Sequence, residues 1–270
     1  MPGERVVIKL GGSVLDGEPA YEAAAGVLDD YLRRSPAIER LYVVVSARKG
    51  GTDRAIEALS PDPGIRQRLR GYLAGETPDP ADAAAWDSPR SALALLWPEI
   101  ESAFRLAECL RRQGRRADIA TQLGLYPIAA RGSYLRADLD PALSRRRFAR
   151  FDRAHRRSRI VVLPGFGAAN RGGEPALFGR NASDYVAAAL SMFDPAVGRV
   201  VFVKDAGAIY ESFETAGRRR IAVTDAARLR AAEFGRVLDR RVLEIIRCEF
   251  HVVGRDIRQV GTVVLPAPAA

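Results

Sequence analysis

Four short apolar runs, each ending at a glycine-bearing loop, constrain this chain more than any other feature. Residues 5–10 (RVVIKL), 41–46 (LYVVVS), 159–163 (RIVVL) and 200–204 (VVFVK) are apolar almost throughout rather than alternating. A strand with one wet face alternates apolar and polar side chains, whereas a continuous β-branched run needs cover on both faces. Stretches with helical periodicity lie between the runs, at 21–34, 99–112, 140–154 and 183–192. Further helices are expected at 54–59, 63–74, 224–234 and 236–247, and further strands at 116–121, 250–253 and 262–265. Residues 75–90 are rich in Pro, Asp and Ala and read as a loop, with a lid as one use for it. The pattern predicts an α/β fold of three layers, α/β/α, around a mostly parallel central sheet. A boundary between two lobes is expected near Arg156-Arg157-Ser158, giving 1–157 and 158–270.

With 270 residues, 47% hydrophobic and 28% charged, the chain is long enough for one large domain or two lobes with a real core. Cys109 and Cys248 are too few for a disulfide framework or a thiolate metal site. Two histidines, His155 and His251, exclude a histidine-rich metal centre and leave little for a catalytic triad. No apolar run approaches the roughly 20 residues that span a bilayer. The chain enters a strand almost at once, so no secretory signal and a cytoplasmic location are expected. The net charge of +9 is mostly arginine, concentrated in Arg145-Arg146-Arg147, Arg150, Arg153, Arg156-Arg157 and Arg159. Phe148 and Phe151 stand there at helical spacing, as core contacts do, and no stacking platform accompanies them. A solvated helix face is therefore expected rather than a nucleic-acid surface. The same charge draws in an anionic substrate.

In parallel sheets ligands bind beyond the carboxyl ends of the strands. Those ends here are Lys9-Leu10-Gly11-Gly12-Ser13, then Ser46 to Asp53 (SARKGGTD), then Pro164-Gly165-Phe166-Gly167, then Lys204-Asp205-Ala206-Gly207. Each could be a simple turn, since Gly-Gly after a strand commonly is. Four polar glycine-bearing ends together describe a crevice for something polyanionic. The run Phe178-Gly179-Arg180-Asn181-Ala182-Ser183-Asp184-Tyr185 then opens an alanine-rich helix. Helix openings attract anions, and an arginine beside one can fork onto a carboxylate or phosphate. Ser183 or Asp184 could equally be a plain N-cap, and Glu99 a first-turn carboxylate stabilising a helix dipole.

Taken in order, these segments resemble the amino acid kinase family, and most closely the aspartokinase catalytic domain. Lys9 to Ser13 resembles its opening motif, and Val43 to Ala47 with Gly51 to Arg54 its second. Pro98 to Ser102 looks like a Gly-Glu-x-x-Ser helix opening with proline for glycine, and Gly165-Phe166 and Gly179 to Tyr185 match later motifs. Asp205 to Tyr210 resembles the nucleotide loop, and Phe234 to Leu238 and Val260 to Val264 match late segments. The resemblance implies ATP-dependent phosphorylation of a carboxylate. A small acidic amino acid, L-aspartate to 4-aspartyl phosphate, is the first expectation. Another small acid (a modified amino acid, a phosphonate or a phosphate monoester) and a catalytically silent ATP-binding homologue are the alternatives.

Carried over residue by residue, the resemblance gives Lys9, Asp184 and Arg219 the catalytic roles. Lys9 and Arg219 are the cations on the transferring phosphoryl group, and Asp184 holds Lys9. Gly11, Gly12 and Ser13, with Lys204, Asp205 and Tyr210, would bind the nucleotide, the two glycine amides cradling phosphates. Ser46, Ala47, Thr52, Glu99, Arg180 and Ser183 would form the acid pocket, with Arg180 on a carboxylate and Glu99 on an ammonium. The first lobe would then hold the acid and the phosphate loop, and the second the nucleotide. No metal-binding residue is expected, because Mg²⁺ arrives with ATP. A carboxylate is already ionised at neutral pH, so no strong base is required, which suits a chain nearly free of histidine. A homodimer is implied. The chain ends at Ala270, so feedback through a C-terminal regulatory domain is not expected. The sequence departs from the family pattern at Asn181-Ala182, Arg48-Lys49, Lys204, Glu211 to Glu214 and Asp239-Arg240.

Overall fold

The computed structural model describes residues 3–211, 219–231 and 238–266. In chain order the first elements are β1 (Glu4–Leu10), α1 (Glu18–Arg34), β2 (Ile38–Val45), α2 (Gly51–Leu59), α3 (Pro63–Ala74), α4 (Pro80–Trp86), α5 (Pro89–Arg112) and β3 (Ala117–Ile119). There follow β4 (Ala130–Arg131), β5 (Asp138–Leu139), α6 (Pro141–Ala154), β6 (Ile160–Pro164), β7 (Gly167–Ala169), β8 (Pro175–Leu177) and α7 (Ala182–Phe193). The last are β9 (Val197–Val203), β10 (Val223–Asp225), α8 (Ala226–Ala231), α9 (Val242–Ile245), β11 (Glu249–Val253) and β12 (Val260–Leu265).

Eight strands form one sheet in the order β10-β12-β11-β9-β1-β2-β6-β3. Every neighbouring pair is parallel except β11 with β12. The apolar runs are continuous because both faces are covered, as expected. Val6, Ile8 and Leu10 of β1 pack with Tyr21 and Leu28 of α1 and Leu106 of α5. Val7, between them, belongs to the opposite core with Tyr42, Phe151, Leu190 and Phe202. Each such side chain contributes about 1.5–3 kcal/mol by leaving water.

The strand order reverses at β1, whose neighbours β2 and β9 come from different parts of the chain. That is the position at which an open parallel sheet leaves a crevice beyond its carboxyl ends. Strand β6 follows the expected lobe boundary at 157/158, yet it pairs with β2 and β3. The sheet therefore runs unbroken past that point.

Several helix boundaries differ from expectation. Residues 75–90 are not all loop: α4 forms at Pro80, capped by the Asp79 carboxylate accepting the Ala81 N–H at 2.8 Å. Its Trp86 ring lies 6.4 Å from that of Tyr72. Helix α5 begins at Pro89, where the Ser88 hydroxyl accepts the Ser91 N–H, and continues through Pro98. Ser-Pro is the usual cap and first position of a helix. Pro98 imitates that start but lies inside, so Glu99 is mid-helix and not in a first turn. Of the helix expected over 224–234, Ala226–Ala231 form α8 among the described residues, while Thr224 and Asp225 belong to β10 and residues 232–234 lie outside the described residues. The one expected over 236–247 is reduced to α9 among the described residues, and Phe234 to Val237 lie outside them.

The arginine run on α6 is a solvated face except at Arg147, which is buried. Its guanidinium donates to the Ala169 carbonyl at 2.7 Å and the Asn170 carbonyl at 2.5 Å, which fastens α6 to β7.

Helix α7 is buried nearly all round, and its small, fully buried residues Ala187, Ala188 and Ala189 let it lie close against its neighbours, the sheet among them. Its first turn approaches the end of β6 so closely that a Cβ on Gly165 would stand 2.6 Å from the Ser183 Cβ. Asn181 precedes it with φ 63°, the one left-handed non-glycine among the described residues. Asparagine tolerates that region better than other side chains, which explains how it can replace a glycine here.

Candidate active site

A cleft of about 930 Å³ opens at the carboxyl ends of β1, β2, β6 and β9, between the loops the sequence singles out. At its head, Lys9 and Asp184 meet: Nζ lies 2.9 Å from Oδ1, and both side chains are buried. Lys204, immediately after β9, places its Nζ 2.5 Å from the other carboxylate oxygen. Two ammoniums thus straddle one carboxylate held in the first turn of α7. Asp184 is not an N-cap: the helix starts at Ala182, and Asn181 makes no side-chain cap.

Burial alone would raise the Asp184 carboxyl, but Lys9 and Lys204 outweigh it and hold it below the ordinary carboxylate range. Burial lowers Lys204 to about 8, and Lys9 adds to the shift, against the pull of Asp184. The head of the cleft therefore carries two ammoniums against one carboxylate when both lysines are protonated, in surroundings where charge is poorly screened.

The floor is a hydrogen-bonded chain. The Ser46 hydroxyl donates to Ser183 Oγ at 2.9 Å, and Ser183 donates to Glu99 Oε1 at 3.2 Å. The Ala47 N–H reaches the same oxygen at 3.2 Å, and the Phe166 N–H takes Oε2. Glu99 therefore ties together the ends of β2 and β6 and the start of α7, and three of its acceptor sites are already filled. Burial pushes its carboxyl up to about 7, against the Phe166 N–H, Lys9, the Ala47 N–H and Ser183. Its folded pKa lies above the unfolded value. Its contribution to stability is thus fullest below the ordinary carboxylate range and is lost as pH rises through about 7. Glu99→Gln is expected to cost about 1–3 kcal/mol, because its NH₂ must face a backbone N–H that then has no acceptor. Urea unfolding at pH 5, where that contribution is still present, measures this, and unchanged stability there would remove Glu99 as the tie.

Gly11, Gly12 and Ser13 line the cleft as expected. Gly12 is required by close approach, since a Cβ there would collide with the Ala47 carbonyl oxygen. The paired-amide cradle needs correcting, because the Gly11 N–H is donated to the Val203 carbonyl at 3.2 Å. Among the described residues the Gly12 and Ser13 amides are the ones in this turn without a backbone acceptor.

Thr52, Arg180, Ser46, Ala47, Glu99 and Ser183 all line the same cleft. Arg180 is 41% exposed and lies 3.7 Å from Asp53, which is shared with Arg70 at 3.1 Å. That loose pairing leaves a guanidinium with capacity for another anion.

Three expected residues stand elsewhere. Arg219 is 82% exposed, lies 4.0 Å from Glu211 and does not line the cleft, whereas Lys204 stands at the head of the cleft beside Lys9. The sequence could not reveal this, because Lys204 converges only through the pairing of β1 with β9. Asp205 is outside the lining and pairs with Arg255 at 3.1 Å. The Ser13 hydroxyl and Arg255 hold its carboxyl low, against burial. The Tyr210 hydroxyl lies 3.3 Å from the Ala206 carbonyl, also outside the lining. Arg218 lies outside the described residues.

The far end of the cleft holds residues that the sequence reading missed, Arg136, Asp138 and Arg241. Arg241 donates to the Phe178 carbonyl at 2.7 Å, pairs with Asp239 and lies 4.8 Å over the Tyr185 ring. It fastens the segment after residue 237 to the turn that presents Arg180. Arg255 likewise reaches the Ser13 carbonyl at 2.8 Å. No motif marks either arginine.

Among the described residues no helix is long and apolar enough to cross a membrane. The amino acid kinase family matches over residues 4–247. No curated protein matches by sequence. Among solved structures, Escherichia coli aspartokinase III in complex with aspartate and ADP is 20% identical with a TM-score of 0.73. Aspartate kinase from Synechocystis is 20% identical with a TM-score of 0.69. Both alignments cover 98% of this chain but only 65% and 40% of those proteins. Uridylate kinase from Archaeoglobus fulgidus is 14% identical with a TM-score of 0.58, covering 96% of this chain and 99% of that one. At these identities the likeness establishes the fold.

Proposed function

The chain belongs to the amino acid kinase family, and from that premise we propose that it is an ATP-dependent kinase phosphorylating a carboxylate of a small acidic amino acid, L-aspartate first. The observation that carries this reading is the Lys9–Asp184–Lys204 cluster at one end of a cleft whose other end presents Arg180. The acceptor carboxylate, gripped by Arg180, attacks the γ-phosphorus of ATP in line, and ADP leaves. Lys9 and Lys204 stabilise charge on the transferring group, and Asp184 holds them apart and oriented. The donor set suits a polyphosphate: the buried Lys9 ammonium, the partly buried Lys204 ammonium, and the Gly12 and Ser13 amides beside them. Mg²⁺, arriving with the nucleotide, would supply further charge neutralisation. Glu99 acts on this reading through its ties, keeping Ser183, Ala47 and Phe166 around the acceptor, and its remaining acceptor site is available to an ammonium.

One observation favours a second acceptor class. Arg48, Lys49 and Arg240 line the cleft, more positive charge than one small dicarboxylic amino acid needs. A phosphonate or phosphate monoester acceptor would use it.

An ADP-release assay over a panel of acids, with hydroxamate trapping of acyl phosphates, separates these readings. Turnover with aspartate and a trapped hydroxamate is the expected result. Turnover only with phosphonates or phosphate monoesters, without hydroxamate, would move the acceptor class. Binding of MgATP without turnover on any acid would make the protein a silent homologue. A cytoplasmic homodimer is part of the proposal, and sedimentation of the purified chain tests its assembly.

A further inference from the structure

A second cavity of about 490 Å³ lies between α2 and the first half of α5, outside the catalytic cleft. Its walls are apolar where Ala55, Leu59, Ala94 and Trp97 meet, and the Trp97 indole is 59% exposed. Its rim holds Arg48, Arg54, Arg90 and Arg105 against one acid, Glu101. Arg105 is already neutralised, by Glu101 at 2.7 Å and Glu18 at 2.6 Å. The other three arginines have no ion-pair partner among the described residues. An apolar trough edged by unpaired guanidiniums is the chemical complement of an anion with an apolar body.

We propose that this groove binds a small amphipathic carboxylate with an aromatic or branched apolar body, distinct from the acceptor acid. The volume matches such a ligand, since small-molecule pockets run from about 300 to 1,000 Å³. The body packs on Trp97 and Leu59, and the carboxylate is forked by Arg54 or Arg90. Arg48 and Gly51 line both this groove and the catalytic cleft, so the two share the wall formed by the start of α2. A carboxylate in the groove lies next to the loop that carries Ser46 and Ala47. The occupant is a small molecule rather than a second copy because a two-fold contact would set the same arginine rim against itself.

Phenylacetate and isovalerate are the probes, phenylacetamide and acetate the controls, read on the whole chain by tryptophan emission and calorimetry. At least one probe is expected to bind saturably, with its control at least tenfold weaker. Arg54→Ala combined with Arg90→Ala should weaken binding at least tenfold. Ala94→Trp, at a half-buried helix position on the groove wall, should abolish it while leaving MgADP affinity within twofold. The MgADP titration reports separately on the kinase reading. Failure of both probes to bind overturns the proposal, as does equal binding of the neutral amide or binding that survives Ala94→Trp. A dimer in sedimentation that Ala94→Trp dissociates would assign the groove to a second copy and overturn it too.

Discussion

Asp184→Ala is expected to silence the protein and to lower its stability by about 3–5 kcal/mol, the cost of leaving buried charge uncompensated. The carboxylate is the common partner of Lys9 at 2.9 Å and Lys204 at 2.5 Å. Without it two ammoniums face each other at the head of the cleft, Lys9 buried and Lys204 partly buried. The pH dependence identifies this cause. In the variant the repulsion is relieved when one lysine loses its proton, so the deficit should shrink between pH 7 and 10. Wild-type Asp184 works in the opposite direction: its pKa is held low, so its stabilisation is present above the ordinary carboxylate range. That stabilisation is lost as pH falls through the folded value. Urea unfolding of both proteins across this range is the measurement. A deficit that does not change with pH would mean that Asp184 acts by packing alone, and the paired-lysine account would fail.

Lys9→Ala should cut turnover at least a hundredfold, on the order of 3 kcal/mol of transition-state stabilisation. Lys204→Ala should cost a comparable factor, whereas Arg219→Ala should stay within about twofold because Arg219 stands outside the cleft. Lys204 adds a pH signature. Its pKa is lowered to about 8, so the free protein loses that positive charge as pH rises through this value. The rate at low ATP should therefore fall on the alkaline side of about pH 8. Lys204→Arg, which stays charged, should carry the fall to higher pH. Steady-state rates from pH 6 to 10, on variants whose circular dichroism matches wild type, decide the matter. Near-normal turnover in Lys9→Ala would remove Lys9 from the mechanism, and loss of turnover in Arg219→Ala would return Arg219 to it.

The contrast between Lys204 and Arg219 shows how far motif reading carries. Lys9, Gly12, Ser46, Thr52, Glu99, Arg180 and Ser183 stand in segments that are locally distinctive, and all line the cleft. Arg219 follows a weak match in a stretch whose neighbours diverge, and it lies at the surface. Lys204 reads as a nucleotide contact because it occupies a threonine position near the nucleotide loop. Its role depends on a side chain turning toward α7, which no linear pattern encodes. Arg241 and Arg255 are more extreme, since each crosses between segments far apart in the chain with nothing local to mark it.

Local chemistry was sufficient for the continuous apolar runs, the helices between them and the glycine-bearing strand ends. Those features respond to hydrogen bonding and burial within a few residues, so the three-layer fold and the location of the crevice follow from them. Pro98 shows where local chemistry stops: a helix-start residue was carried inside α5 because the packing of its apolar face outweighed the preference of one position. Tertiary structure alone decided that two lysines share one aspartate, that Glu99 is pinned by three segments, and that Arg219 stays out. Charge pairing in a buried cleft depends on distances of a few ångströms between strands β1 and β9 and helix α7. Those distances are set by sheet order and by the small residues that let α7 approach.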